Sequence, residues 1–320
     1  MRGDGCFQVT RIMQVIHSLE EIGSIEGELH LALGVFDGVH VGHQAVIQSA
    51  VDAARAKGGV AGVLTFDPHP IQVLAPHVAP RRILASLQHK QELLAALGVE
   101  VLLVVPFTEA FAELDATTFL NKLHEECRSL QTLAMGEDWK FGSQRSGNVA
   151  LLREFGEKHS INIQAMSAVM VDGERVSSTR IRQAIRDGNL DSVATMLGRE
   201  YNVLGTVVKG QQLGRTIGFP TANLRVHNEQ LPPNGVWAVD VTLENGEVHR
   251  GAGNLGVRPT VEGEEGKRLL EIHLIDFEGD LYDKDVTVRF LKHVREELKF
   301  DSLDVLKKQI VRDVQVCREL

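Results

Sequence analysis

The chain places "GVFDGVHVGH" (Gly34–His43) directly after the apolar run "LHLAL". Three glycines, one aspartate and two histidines fall within those ten residues. A run that is apolar on both faces must be covered on both sides. A strand covered on both sides belongs to a parallel sheet with helices above and below it. The glycines let the chain turn sharply and approach a ligand closely. The residues after His43 are helical in pattern, so the stretch is a strand-to-helix joint. Open α/β sheets bind ligands at such joints, where free N–H groups of a helix start can meet an anion. The imidazoles of His40 and His43 can donate hydrogen bonds to phosphate oxygens. By themselves the same residues also suit a tight turn with two surface histidines. Zinc fits poorly, because the histidines are three apart rather than four and no third ligand is evident.

The rest of the first 200 residues repeats this alternation. Strands are expected at Leu29–Phe36, Val60–Phe66, Val101–Phe107, Thr132–Met135 and Ile163–Val171. Amphipathic helices are expected at Gln44–Lys57, Ser86–Leu97, Thr117–Arg128, Val149–His159 and Ser178–Asp187. The fold class is therefore α/β, with a Rossmann-like parallel sheet in the N-terminal part.

The pattern changes near "LGREYNVLGTV". Short strands cut by turns come next, at Asn202–Val208, Val236–Leu243, Val248–Leu255, Leu270–Phe277 and Val286–Phe290, with Asn-Gly at the centre of "ENGE". They predict a small antiparallel β-barrel. A terminal helix, Leu303–Arg318, is capped by Asp301 or Ser302 and carries Leu303, Leu306, Ile310, Val314 and Cys317 on one stripe. The expected division is an extension (1–12), an α/β domain (13–200) and a barrel domain (201–320).

Charge and cysteine content narrow the function. The formal net charge is −9, so no global basic field draws nucleic acid. The three cysteines, Cys6, Cys127 and Cys317, are far apart in sequence and suggest reduced thiols in the cytoplasm. No apolar run is long enough to span a membrane, and the first residues lack the apolar core of a secretory signal.

Four further stretches carry chemistry. "RVSSTRIR" (Arg175–Arg182) opens a helix after a strand, and its hydroxyls and arginines suit a polyphosphate; a capped helix with solvated arginines would read the same. "TFDPHP" (Thr65–Pro70) is a proline-stiffened loop. "PTAN" (Pro220–Asn223) offers hard oxygen ligands from Thr221 and Asn223, which share a side if the stretch is extended; alone it also reads as a polar turn. In "LLEIHLIDF", alternation puts Leu269, Glu271 and His273 on one face and Leu270, Ile272 and Leu274 on the other. Glu271 is then a barrel-face carboxylate, of the kind most often merely exposed.

Together "GVFDGVHVGH", "TFDPHP", "GEDWKFG" (Gly136–Gly142) and "RVSSTRIR" resemble the nucleotidylyltransferase module of the bacterial bifunctional riboflavin kinase/FAD synthetases. "GTVVKGQQLGRTIGFPTANL" (Gly205–Leu224), "LPPNGVWAV", "GNLGVRPT" and "KFDSLDVLKKQI" resemble the kinase module of the same family. Trp139 and Trp237 stand where the family usually has Phe and Tyr, and Asp283 where it usually has Gly. The resemblance implies phosphorylation of riboflavin to FMN by the C-terminal part and adenylylation of FMN to FAD by the N-terminal part. ATP is the donor in both and Mg²⁺ the cofactor. It implies His40 and His43 as catalytic residues of adenylyl transfer and Glu271 as the catalytic carboxylate of the kinase. ATP would meet Gly34, Phe36, Gly38, Gly42, Arg175, Ser178, Thr179 and Arg182. Flavin and nucleotide would meet Asp67, Pro68, His69, Asp138 and Trp139. In the kinase, ATP would meet Gly210, Gly214, Gly218, Thr221 and Asn223, the last two holding the metal. Partners are then the small molecules ATP, riboflavin, FMN and FAD, with neither nucleic acid nor membrane, and a homo-oligomer is compatible with all of this. An enzyme with one idle module, or a flavin-binding protein without turnover, are the rival readings. The second would need neither His-x-Gly-His nor Pro-Thr-Ala-Asn.

Overall fold

The computed structural model describes residues 13–79, 82–210, 212–227, 229–257 and 268–320. The expected extension 1–12, with Cys6, lies outside the described residues. The described chain forms two compact units. One takes in residues 13–79 with Lys90–Val176, the other residues 82–89 with Ser177–Leu320.

The first unit is built on a six-stranded sheet ordered β1-β4-β3-β2-β5-β6. The strands are β1 (Gln14–Ile16), β2 (Leu29–Leu33), β3 (Val60–Asp67), β4 (Val101–Pro106), β5 (Leu130–Gly136) and β6 (Asn162–Met166). Every neighbouring pair is parallel. Helices α1 (Val41–Lys57), α2 (Pro70–Leu74), α3 (Leu87–Ala96), α4 (Glu109–Ala112), α5 (Ala116–Glu126) and α6 (Val149–His159) make the connections. All five residues of β2 are buried. Its one polar side chain, His30, reaches across the sheet, with Nδ1 2.9 Å from the Thr132 hydroxyl on β5, while Nε2 is buried without a hydrogen-bond partner. From β2 the chain winds one way through β3 and β4, then returns to the other side for β5 and β6. The winding reverses between β2 and β5, so their carboxyl ends flank the crevice where such sheets bind ligands.

Two details differ from the sequence reading. β1 pairs with β4 at the sheet edge and is too short for periodicity to reveal. The single strand expected over Ile163–Val171 is two pieces, β6 and β7 (Met170–Val171). The Glu137 carboxylate accepts from the Ser167 hydroxyl (3.1 Å) and the Ala168 N–H (3.3 Å), which takes that backbone donor out of the ladder. β7 then pairs with β8 (Glu174–Arg175) around Asp172 and Gly173, both at positive φ.

The second unit contains a closed antiparallel barrel ordered β10-β13-β12-β11-β14-β9. Helices α7 (Ser178–Arg186) and α8 (Leu190–Leu197) precede β9 (Asn202–Val208). A one-turn helix, α9 (Leu213–Thr216), leads to β10 (Ala222–Val226). Next come β11 (Gly235–Thr242), β12 (Val248–Val257), β13 (Arg268–Leu274) and β14 (Asp285–Arg295), then α10 (Leu303–Arg318). The Asn-Gly turn forms between β11 and β12, with Gly246 at φ 84° and the Asn245 side chain accepting from Glu247 N–H at 3.0 Å. Asp283, where the family's glycine is expected, adopts φ 61°, a conformation Asp tolerates better than most residues. Of the two candidate caps Ser302 begins α10. Its expected stripe is correct at Leu306, Ile310, Val314 and Cys317, but Leu303, at the first helical position, is exposed.

Residues 82–89 belong to this unit through Glu229, which is fully buried. Its carboxylate accepts from the backbone N–H of Ser86 (2.8 Å) and Leu204 (2.9 Å), and meets His89 Nδ1 at 3.0 Å. Arg82 donates to the Glu229 carbonyl at 3.0 Å. One carboxylate thus ties three separate chain segments. Glu229→Ala strands two buried N–H groups and an imidazole, a loss of roughly 3–5 kcal/mol. Urea unfolding of the full chain should show that drop in the transition reporting on the buried Trp237; a shift under about 1 kcal/mol would mean the clasp is incidental.

Candidate functional site

The turn after β2 is strained. Gly34 N–H still reaches the Leu64 carbonyl of β3 (3.2 Å), but Phe36, Gly38 and Val39 then take φ of 50°, 78° and 43°. Gly38 adopts this freely. Phe36 and Val39 do so at about 1–3 kcal/mol each. The strain brings His40 to the N-cap of α1, where its Nδ1 accepts from His43 N–H at 3.2 Å. The two imidazoles stack, with centroids 3.5 Å apart and planes at 18°. A side chain at Gly42 would press on the His40 ring. Phe36, itself buried, meets His43 edge-on at 5.4 Å. His43 is half-buried, and its Nδ1 is enclosed without a hydrogen-bond partner. Burial, and then the nearby His40, Lys90 and Arg175, push its pKa well below the ordinary imidazole value. His43 is therefore neutral at neutral pH, able to act as a dipolar donor rather than a cation.

Beside this turn lies an apolar cavity of about 340 Å³ at the carboxyl ends of β2 to β5. Val35, Phe66, Phe107, Phe111, Trp139 and Phe141 form much of its wall. Trp139 stacks on Phe141 at 4.6 Å and 13°, and Phe66 meets Phe107 and Phe111 edge-on or tilted. "TFDPHP" is divided between elements. Thr65 to Asp67 end β3, a cis peptide joins Asp67 to Pro68, and His69 caps α2 by accepting from Ile71 N–H at 3.2 Å. Asp138 forms an ion pair with Arg175, which holds the Asp138 carboxyl below its usual range. In "RVSSTRIR", Arg175 belongs to β8. Ser178, Thr179 and the buried Arg182 belong to α7 in the second unit, where Ser177 is the cap, accepting from Arg180 N–H at 3.2 Å.

The barrel has two adjoining cavities. The first, about 360 Å³, is lined by Glu271, Asn254, Thr221 and Phe219, with Leu306, Ile310 and Val314 of α10 on its other side. The second, about 300 Å³, is lined by Thr221, Pro220, Arg215 and Tyr282 among others. Thr221 lines both. Glu271 lies on the barrel's outer face, as alternation requires. It is half-buried because α10 covers that face, held by the Arg295–Asp313 pair (2.7 Å). Asn223 pairs in register with Glu271 across β10 and β13. It is buried, and its side-chain oxygen has no hydrogen-bond partner. Gly210 leaves room for that amide, since a Cβ there would collide with it. Gly214 likewise passes against the Phe219 carbonyl, and Gly218 turns at φ 91°. An unsatisfied amide oxygen with a hydroxyl two residues before it is a donor set of the kind a hard divalent cation takes together with phosphate oxygens. Among the described residues no group of three or more His, Cys, Asp or Glu could hold a metal ion.

Three features escape sequence reasoning. Lys90 is buried beside the histidine turn. Phe107 and Phe111 supply cavity wall. α10 roofs the Glu271 cavity. Trp237 is core rather than cavity wall: it is buried and donates to the Pro233 carbonyl at 3.0 Å.

The first unit is a parallel sheet with a glycine- and histidine-bearing turn beside an aromatic cavity, and the second is a barrel with Glu271 and Thr221 lining one cavity. The chain matches the FAD synthetase family model over residues 23–180 and the riboflavin kinase model over residues 197–320. It is 37% identical to the bifunctional riboflavin kinase/FMN adenylyltransferase of Haemophilus influenzae, over 96% of this chain and 98% of that one. It is 38% identical to the protein of that name from Escherichia coli K12, over 97% of each. A crystal structure from Streptococcus pneumoniae, described as a macrolide-efflux protein, superposes with a TM-score of 0.84 at 32% identity, covering 97% of this chain and 99% of that one. The chain belongs to the family of bifunctional riboflavin kinase/FMN adenylyltransferases. No helix among the described residues is long and apolar enough to cross a membrane.

The state of His43 is measurable directly. In an NMR titration, one imidazole, assigned by its loss in His43→Asn, should stay neutral from pH 8 through 6.5 and protonate only well below. Because the unfolded chain binds that proton first, this group removes stability as pH falls below 6.5. A midpoint at or above 6.5 would contradict the burial and charge argument.

Proposed function

We propose that the first unit adenylylates FMN with ATP, giving FAD and pyrophosphate, and that the barrel phosphorylates riboflavin with ATP, giving FMN. Residues 13–200 would carry the first reaction and 201–320 the second. The observation that carries this reading is the presence of both complete constellations in one chain: the stacked His40/His43 turn beside an aromatic cavity, and Glu271 beside Thr221 and Asn223.

In the first reaction the aromatic cavity takes the flavin rings, with Trp139 stacking; Asp67, Pro68, His69 and Asp138 are assigned to the rest of the flavin and the nucleotide. The ATP phosphates lie over Gly34, Phe36, Gly38 and Gly42. The FMN phosphate attacks the α-phosphorus directly and pyrophosphate leaves, so no covalent enzyme intermediate is needed. His40 and His43 donate to the oxygens on which charge grows. Arg175 is assigned to the departing pyrophosphate. In the second reaction riboflavin enters the Glu271 cavity and ATP the adjoining one, lined by Arg215, Pro220 and Thr221, with Gly210, Gly214 and Gly218 assigned to the approach of its phosphates. Glu271 accepts the proton of the riboflavin hydroxyl as that oxygen attacks the γ-phosphorus, and ADP leaves with the bridging oxygen. Thr221 and Asn223 would hold Mg²⁺, which when bound screens the charge of the ATP phosphates. The cytoplasm is the proposed compartment, supported by the buried free thiols of Cys127 and Cys317.

Purified protein given riboflavin, ATP and Mg²⁺ should form FMN and then FAD, followed separately by chromatography. His43→Ala should lower FAD formation from FMN by roughly 10²–10³ and leave FMN formation near wild type. Equal loss of both products would assign His43 to folding. Glu271→Gln keeps size and most hydrogen bonding but removes the base. It should lower FMN formation by roughly 10²–10⁴, while supplied FMN is still converted to FAD. Near-wild-type kinase turnover in Glu271→Gln would leave the barrel's chemistry to positioning alone.

A further inference from the structure

Lys90 belongs to none of the motifs, yet it is one of the few buried cations of the first unit, 6% exposed. Its Nζ donates to the Val35 carbonyl at 2.9 Å and to the Thr65 hydroxyl at 3.3 Å. The Thr65 hydroxyl donates to the same carbonyl at 2.9 Å. Burial lowers the lysine's pKa, with Asp37 and Asp67 opposing that shift. Burying an ammonium is costly, and a neutral side chain would fill the space more cheaply. What the lysine holds gives the reason.

Val35 is a joint. Its side chain lines the aromatic cavity. The next residue, Phe36, carries the first left-handed φ of the turn and packs on His43. The Val35 carbonyl is thus the point where cavity wall and imidazole pair become one piece of backbone. Both donors converge there, from β3 and α3, at the start of a turn that is strained and would otherwise relax.

We propose that Lys90 is a positioning residue for adenylyl transfer: by fixing the Val35 carbonyl it sets the spacing between the occupant of the aromatic cavity and the His40/His43 pair. The proposal rests on the adenylylation reading above. A displacement near 1 Å at such a joint costs on the order of 10²-fold in rate. Binding on either side of the joint is retained, because neither surface is lost. The signature is a fall in kcat with little change in KM.

The test is Lys90→Met in the full chain, assayed for FAD formation from FMN and ATP. The expected result is a kcat lowered roughly 10- to 100-fold, with KM for FMN and for ATP within about threefold of wild type. Lys90→Arg retains donors at the carbonyl and should recover most of kcat. A second readout is the acid limb of the rate. His43 is faced by His40 from the cap of its own helix, Arg175 from β8 and Lys90 from α3, while Asp37 and Asp67 face Lys90. Losing Lys90 removes one cation, so the limb should move up in pH. A purely structural lysine would reduce the amount of folded protein but leave kcat per FMN-binding site, counted by calorimetry, unchanged. That result overturns the proposal, as does a raised KM with kcat intact. If Lys90→Met does not fold, Thr65→Val removes one of the two donors. It should lower kcat roughly three- to tenfold, and an unchanged kcat there is equally fatal. A wild-type chain that makes no FAD would sink the adenylylation reading itself, a separate outcome.

Discussion

The first unit depends on the burial of β2. All five of its residues lie inside the sheet with neighbours on both edges, so the strand can neither slide nor bend to ease the turn after it. Its end is fixed, and the start of α1 is fixed by packing over the sheet. The seven residues between must close that gap. They do so with three left-handed residues, two of them bulky. Strain of this kind persists only where the surroundings over-determine it. Here they do: Phe36 is packed, Gly34 is bonded to β3, Lys90 and Thr65 hold Val35, and the His40 cap closes the helix start. The order of cause runs from an apolar pentapeptide to two stacked imidazoles.

The barrel solves a different problem. Period-two alternation sends Leu270, Ile272 and Leu274 inward and leaves Glu271 outside. An outward carboxylate on a free barrel face would be an ordinary wet side chain. α10 changes its surroundings. Arg295 clasps the buried Asp313 with two guanidinium nitrogens, and Gln309 adds a bond at 2.8 Å. That anchor lays Leu306, Ile310 and Val314 opposite Glu271. A side chain that alternation assigns to solvent thus lines a partly apolar cavity instead.

Much of this was legible in the residues, for reasons that differ by element. α6, β9 and α10 match the expected boundaries residue for residue, because each has a strong period and a clear cap or turn. The histidine turn was legible because glycine and histidine are unusual there. The strand status of Ala222–Val226 was only a condition for Thr221 and Asn223 to share a side; the structure makes Asn223 a strand residue and leaves Thr221 at its threshold. β1 was invisible because three residues carry no period. The break before β7 depends on a carboxylate thirty residues away. The membership of residues 82–89 depends on Glu229, and that of Lys90 in the histidine turn on a carbonyl fifty-five residues back. Each of these is a long-range polar contact to backbone, which leaves no local pattern behind.

The electrostatics of the first unit's site rest on the same economy. The chain carries a net charge of −9, yet on the proposed reading the site takes a polyanion. It is not a fixed positive well: His43 is neutral, Lys90 is buried facing Asp37 and Asp67, and Arg175 is paired with Asp138. The Arg175–Asp138 pair is about half exposed on both sides, and a pair so wet is worth about 1 kcal/mol or less. A phosphate oxygen offers the guanidinium a bidentate, charge-assisted partner. If Arg175 takes a phosphate as proposed, exchange of carboxylate for phosphate would cost little on arrival, and the carboxylate would stand ready to take the arginine back when an anionic product leaves. Neutral donors held by strain, together with a cation kept on an exchangeable partner, can stabilise charge during transfer without trapping pyrophosphate afterwards.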